Sequence, residues 1–317
     1  MVYQDIQQLG TSLLENMSRV MIGQKDTMER VLTCVFASGH VLLEDVPGTG
    51  KTTLAKALAR SIDGTFARLQ CTPDLLPTDI TGLQVYHQHT GEFVFHKGPV
   101  FCHILLADEI NRATPRTQSA LLECMEEHQV SEGGVTYPLS EPFLVLATQN
   151  PIETQGTFPL PEAQLDRFLM QLSMGYPKQD ESVEMMKRFV THQPLETLQS
   201  VCTVGDIRDA AGHTGECDVS EDIMRYISAL CENARDPDAV RLGPSPRAML
   251  ALMRACQAYA ALHGRRYVIP DDVQHLALPV LAHRLVMRGV MGQKKEAVFL
   301  QEVLEKTEVP TERNARV

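Results

Sequence analysis

Two constellations in this 317-residue chain have the residue types and order for phosphate chemistry. The first runs Asp45-Val46-Pro47-Gly48-Thr49-Gly50-Lys51-Thr52, after the apolar stretch Val41–Leu43 and before a helical stretch, Thr53–Ser61. An apolar strand, a glycine-bearing turn and a helix start aim backbone N–H groups and the positive helix end at one point, where a polyphosphate can be wrapped. Lys51 would reach the outer phosphates, and the Thr52 hydroxyl would hold Mg²⁺. The general pattern G-x-x-x-x-G-K-[ST] has glycine where this chain has Asp45. The bland alternative is an ordinary turn with a solvated lysine. The second constellation, Asp108-Glu109, ends the apolar run His103–Ala107. Adjacent carboxylates at the tip of a buried strand are costly unless a cation or a reaction uses them. Phosphate chemistry supplies both uses: Asp108 toward Mg²⁺, Glu109 toward a water that it orients and deprotonates.

Three single residues extend the set. Asn150 closes the apolar run Phe143–Thr148, and Pro151 biases it away from helical backbone. At a strand tip it could bond the γ-phosphate or the attacking water; in isolation it reads as an Asn-Pro turn. Arg167 follows Asp166, so a surface ion pair between neighbours is the simple explanation. Arg247 falls in the first turn of a helix with Ser245 as N-cap and Pro246 at the first helical position. A cation there opposes the macrodipole by a few tenths of a kcal/mol or more, a local conflict that suggests a phosphate partner.

These residues need elements to position them. Apolar periodicity predicts helices over Asp5–Ser18 and from about Gln24 to Ala37. Strands at Val41–Leu43, Thr65–Gln70, Ile104–Ala107, Phe143–Thr148 and Phe168–Ser173 alternate with helices at Thr53–Ser61 and Pro115–Glu127, which predicts a parallel sheet with helices on both faces. Two β-hairpins interrupt the rhythm: Gln84–Phe95, turning at Thr90-Gly91, and Gln129–Tyr137, turning at Gly133-Gly134. After Pro177 strand signals fade, and Ser220–Ala234, Ser245–His263 and Asp271–Met287 read as helices. The expected organisation is therefore an α/β nucleotide-binding domain over residues 1–176 and an all-α lid over 177–317.

Composition narrows the class. With 44% apolar and 22% charged residues the chain is of ordinary globular type. No apolar run approaches the ~20 residues of a membrane span, and the N-terminus lacks a signal-peptide pattern. Eight cysteines without a C-x-x-C pair read as reduced, buried thiols, so a cytoplasmic protein without membrane insertion is expected. A net charge of −11, no tryptophan and 5% aromatics disfavour a nucleic-acid partner. The charge is uneven: residues 243–317 hold 11 Lys/Arg against 7 Asp/Glu, while residues 1–242 hold 18 against 33.

Taken together, the motifs resemble the AAA+ ATPases, and more closely their MoxR family. The carriers are Leu43–Thr52, Asp108-Glu109-Ile110-Asn111-Arg112 with Gln118–Glu123, Ala147–Pro151, and the segments around Arg167 and Arg247. The resemblance covers nearly the whole chain, and Asp45 looks like the form usual within that family. It implies ATP and Mg²⁺ as cofactors: Asp45, Val46, Pro47, Gly48, Thr49, Gly50, Lys51, Thr52 and Thr53 would surround the nucleotide phosphates, with Ile22 and Gly23 at the adenine. Thr52 and Asp108 would serve the metal, Glu109 the attacking water, and Asn150 would be sensor 1. Arg167 would be an arginine finger for a neighbouring subunit, and Arg247 sensor 2 from the lid. The hairpins would face the ring pore or the client, and Arg112 and Arg116 are further candidates for contacts between subunits. A ring oligomer, hexameric by the resemblance, would remodel a client protein carrying a von Willebrand factor A domain. The alternatives are a slowly hydrolysing nucleotide switch or scaffold, a nucleic-acid motor, and a metal-chelatase motor subunit.

Overall fold

A computed structural model describes residues 3–46, 48–89, 91–150, 156–190, 193–288 and 295–310. Pro47, Thr90 and Pro151 lie outside them. Helices α1 (Tyr3–Ser18) and α2 (Lys25–Phe36) precede β1 (Val41–Glu44), α3 (Lys51–Ser61), β2 (Phe66–Gln70) and α4 (Pro77–Thr81). The hairpin β3 (Gly82–His87)/β4 (Glu92–Lys97) leads to β5 (Ile104–Asp108) and α5 (Pro115–Glu127). The hairpin β6 (Gln129–Glu132)/β7 (Val135–Pro138) is followed by β8 (Leu144–Gln149), α6 (Glu162–Leu165) and β9 (Met170–Leu172). The rest is α7 (Gln179–Phe189), α8 (Val204–Thr214), α9 (Glu221–Asn233), β10 (Val240–Leu242), α10 (Pro246–Leu262), α11 (Pro270–Leu281), β11 (Val286–Met287) and α12 (Lys295–Lys306).

The central sheet has the order β2-β5-β8-β1-β9, and every pairing in it is parallel. Its three inner strands, β5, β8 and β1, are apolar on both faces because both faces are covered. Leu43, Leu106 and Leu146 join the cluster under α1, α2, α3 and the later helices, whereas Leu42, Leu105 and Val145 join the cluster under α5. The period-two alternation of side chains thus serves two cores at once. The helices from α8 onward share the first of these cores with α1 and α2, and α1 packs directly on α10. A Cβ at Gly10 would overlap Leu262, so glycine permits that close approach.

Several elements differ from expectation. The last sheet strand starts at Met170 instead of Phe168, because the Arg167 and Phe168 N–H groups turn back to the Gln164 and Leu165 carbonyls. The helix expected to reach Met287 stops at Leu281; a 3₁₀ turn follows, and Val286–Met287 pairs antiparallel with β10. A small sheet therefore lies in the half where strand signals fade. Helices α7, α8 and α12 also lie beyond the three clearest helical stretches. Both hairpins form, and Gly133 (φ 58°) and Gly134 (φ 80°) supply the two positive φ values that a tight two-residue turn requires.

Candidate functional site

All five sheet strands run the same way, so their C-terminal ends open on one crevice, between the strands where the chain changes direction. The loop after β1 enters it, with the Asp45 N–H bonded to the Gln149 carbonyl at the end of β8 (3.2 Å). Gly48 (φ 86°) and Gly50 (φ 95°) take left-handed backbone, and Gly50 is the N-cap of α3. Lys51 lies at the first position of α3, with its Nζ on the Asp45 carbonyl (2.9 Å) and the Val46 carbonyl (3.3 Å). Thr52 and Thr53 follow, half-buried, in the same helical turn. The Thr49 hydroxyl lies 3.4 Å from the Val46 carbonyl.

Asp45 shows why the glycine of the general pattern is absent. Its carboxylate turns out of the loop: one oxygen accepts the Met174 and Gly175 N–H groups (2.8 and 3.0 Å), the other that of Val46 (3.1 Å). The segment after β9 is tied to the loop this way. The same segment accepts the Gln24 side chain on the Met174 carbonyl (2.9 Å), which brings Met21–Gln24 alongside. Met21 of this segment approaches Gly50 of the loop, Ile22 and Gly23 follow it in sequence, and a Cβ on Gly23 would overlap the carboxyl group of Glu181 on α7.

Asp108 ends β5. Its Oδ1 accepts the Thr148 hydroxyl (2.6 Å) and its Oδ2 accepts Arg68 (2.7 Å). Glu109 has left-handed backbone (φ 55°, ψ 52°), a conformation that costs a non-glycine residue about 1–2 kcal/mol. Its N–H donates to the same Thr148 hydroxyl (2.8 Å), which holds the strained turn. Glu109 Oε2 meets Gln70 Nε2 at 3.1 Å and Arg112 Nε at 3.3 Å. Asn150 follows directly on β8, half-buried, at the same end of the sheet. Lys51, Thr52, Asp108, Glu109 and Asn150 thus converge. Their donor set suits Mg²⁺, which favours carboxylate, hydroxyl and phosphate oxygens, and Asp108 already carries a cationic partner in Arg68.

Arg167 and Arg247 do not join them. Arg167 precedes β9, whose first residue pairs with Val41 at the start of β1; α5 runs back to that same end, with the Met125 carbonyl against His40 (3.0 Å). There Glu126 takes both guanidiniums: Arg167 Nε at 2.8 Å on one oxygen, Arg247 at 3.1 Å on the other. The length of β1 alone, four residues, puts about 13 Å of strand between this end and the loop. The anion opposite Arg247 is thus a carboxylate of its own chain. The simple Asp166–Arg167 pair does not form either: Asp166 accepts the buried Arg284 (2.6 Å), which also bonds the Phe168 carbonyl (2.7 Å). Burial of Arg284 lowers its pKa, and the Asp166 contact opposes that. Arg116 is exposed on α5.

Sequence reasoning missed Arg68, Gln70, Thr148 as a bridging hydroxyl, Glu126 and Arg284. Arg68 and Gln70 did leave a signal, since two long polar side chains two apart on a strand share one face. Nothing local marks Glu126 or Arg284.

A parallel sheet with a phosphate-type loop after β1 and an acid pair at the end of β5, one strand further along the sheet beyond β8, defines a P-loop ATPase fold with a helical lid. Residues 40–170 match the ATPase family associated with various cellular activities (AAA), and residues 232–306 match the AAA lid domain. An uncharacterized protein of Bacillus subtilis, YeaC, is 46% identical over 99% of both chains. Chaperone MoxR1 of Mycobacterium tuberculosis is 41% identical over 92% of this chain and 80% of its own. A solved structure from Cytophaga hutchinsonii superposes with a TM-score of 0.88 at 37% identity, covering 98% of this chain and 97% of the other. The chain belongs to the MoxR family of AAA+ ATPases.

Proposed function

We propose that this protein hydrolyses ATP with Mg²⁺ at sites completed between neighbouring copies in a ring, and uses the cycle to remodel or activate a client protein in the cytoplasm. The observation that carries the reading is the split between the two ends of the sheet. Lys51, Asp108 and Glu109 stand at one end, Arg167 and Arg247 share Glu126 at the other. The intervening strand length of about 13 Å exceeds the reach of one arginine side chain, which supports a role for this pair at a nucleotide on another copy. Mg²⁺, when bound, neutralises charge on the transferring phosphoryl group. Lys51 and the loop N–H groups hold the phosphates, Thr52 and Asp108 face the metal, Glu109 takes the proton of the attacking water, and Asn150 orients that water. Arg167 and Arg247 of the neighbour meet the charge that develops as the bond breaks. Ile22 and Gly23 flank the base.

A chaperone role follows from the kinship with Chaperone MoxR1, and a von Willebrand factor A domain is the client type we put forward. We place the division between the nucleotide domain and the lid at Pro177. One observation favours a slower switch: Glu109 Oε2 is held by Gln70 and Arg112, and must leave them to act as a base. A steady-state ATPase assay with and without client separates the two. The trans arrangement is tested by mixing. Arg167→Ala should bind ATP normally and lose most turnover, by about 10³–10⁵-fold. Glu109→Gln should bind ATP and hold it uncleaved. Mixed, the two should regain part of the activity, because some interfaces pair an intact Glu109 with an intact Arg167. Wild-type turnover in Arg167→Ala alone would remove the trans finger.

A further inference from the structure

We propose that Arg68 is the built-in counter-cation of Asp108, and that Mg²⁺ gains this carboxylate by displacing it. The inference rests on the Mg²⁺-nucleotide site proposed above. Residues Phe66–Gln70 of β2 pair in parallel with Ile104–Asp108 of β5, which sets Arg68 and Gln70 on the strand beside the acid pair. Arg68 reaches Asp108 Oδ2 at 2.7 Å, and the same nitrogen lies 3.0 Å from Gln70 Oε1, which orients it. Gln70 in turn donates to Glu109 Oε2 at 3.1 Å. β2 therefore addresses both carboxylates, one with a charge and one with an amide.

The two partners differ in freedom. Asp108 sits at a strand end with 17% of its side chain exposed, and its other oxygen is fixed by Thr148. Arg68 is 48% exposed on a long flexible stem at the sheet edge. A half-solvated ion pair is worth about 0.2–1 kcal/mol, so the guanidinium can leave at small cost while the carboxylate stays in place. Two adjacent acids with no cation would repel each other, and Arg68 relieves that. An incoming doubly charged ion draws on the same oxygen, directly or through its water shell, and the guanidinium yields to it. The pair then acts as a threshold on metal binding: by linkage, whatever stabilises Arg68 on Asp108 weakens Mg²⁺ there by the same factor.

The test is a Mg²⁺ titration of fluorescent ATP-analogue binding to the full-length protein, wild type against Arg68→Gln, Arg68→Met and Arg68→Lys. Binding without metal, in EDTA, should be unchanged in all four. The Mg²⁺ concentration for half-maximal effect should fall by up to about fivefold in Arg68→Gln and Arg68→Met, the upper end of the range for a half-exposed ion pair. Arg68→Lys should stay near wild type. Thermal unfolding in EDTA should come earlier in the two neutral variants, and added Mg²⁺ with nucleotide should close the gap. An arginine that merely braces the sheet edge would lower stability without lowering the Mg²⁺ requirement. Unchanged or raised Mg²⁺ demand in both neutral variants overturns the inference while leaving the site intact. If wild type shows no Mg²⁺ effect on nucleotide binding at all, the inference and the site reading fall together.

Discussion

Replacing Asp45 by the glycine of the general phosphate-loop pattern should damage this protein instead of improving it. Asp45 is 7% exposed and its carboxylate accepts N–H groups from Met174, Gly175 and Val46. Hydrogen bonds to a charged group contribute about 1.5–3 kcal/mol each. The Val46 bond spans one residue and forms partly in the unfolded chain, so the two bonds to Met174 and Gly175 decide the magnitude. Losing both costs about 3–6 kcal/mol, and the added glycine freedom a further ~0.5–1 kcal/mol. The unfolding entropy of a chain this long is about 0.7 kcal/mol/K, so the hydrogen-bond loss alone lowers Tm by about 4–9 °C. Asp45→Asn keeps one acceptor oxygen but turns its NH₂ toward a donor, and should fall about midway. Calorimetry of the nucleotide-free protein, beside nucleotide titration of the same samples, measures both sides of the argument. If Asp45→Gly unfolds at the wild-type temperature and binds nucleotide about tenfold more tightly, the carboxylate faces the phosphates and the geometry described here is wrong.

Other outcomes follow from the same contacts. Thr148→Val removes the hydroxyl that receives the Glu109 N–H and donates to Asp108, so it should cost about 1–3 kcal/mol in urea unfolding and slow hydrolysis by releasing the strained Glu109 turn; unchanged stability and rate would deny the bridge. His40 is buried, accepts the Val145 N–H on Nδ1 and faces the Met125 carbonyl with Nε2, so it holds one neutral tautomer. Desolvation pushes its pKa from 6.5 down to about 4, with nearby His128 adding to the shift. Between those values the unfolded chain binds a proton that the folded chain refuses, so stability falls as the pH drops from 6.5 toward 4, by about 1.4 kcal/mol per unit from this residue. His40→Gln should show a shallower decline across that window, and an identical slope would clear His40. In the mixing experiment, Glu109→Gln should retain ATP through gel filtration while wild type releases ADP.

Local order in the chain carried the nucleotide end of the site. Val41–Leu43, the glycines and Lys51-Thr52 form strand, turn and helix from short-range propensity, and Ile104–Ala107 must be a buried strand that leaves Asp108 and Glu109 at its tip. The alternation of strand and helix units along the chain was enough to predict a parallel sheet covered on both faces, because continuous apolar strands joined by helices must bury both sides. Strand pairing and helix return do not show there. Arg68 reaches Asp108 only through the β2–β5 register, Asp45 finds its partners 129 and 130 residues away, and Arg167 and Arg247 meet only because α5 returns Glu126 to the opposite end of the sheet. Each of these contacts joins segments far apart in the chain, and its strength is set by distance and burial after folding. The sequence by itself determined which side chains could handle a triphosphate, because local order makes the strand, turn and helix that carry them; the tertiary structure alone decided that Lys51 and the pair Arg167 and Arg247 stand at opposite ends of the sheet, because strand pairing and the return of α5 set those positions.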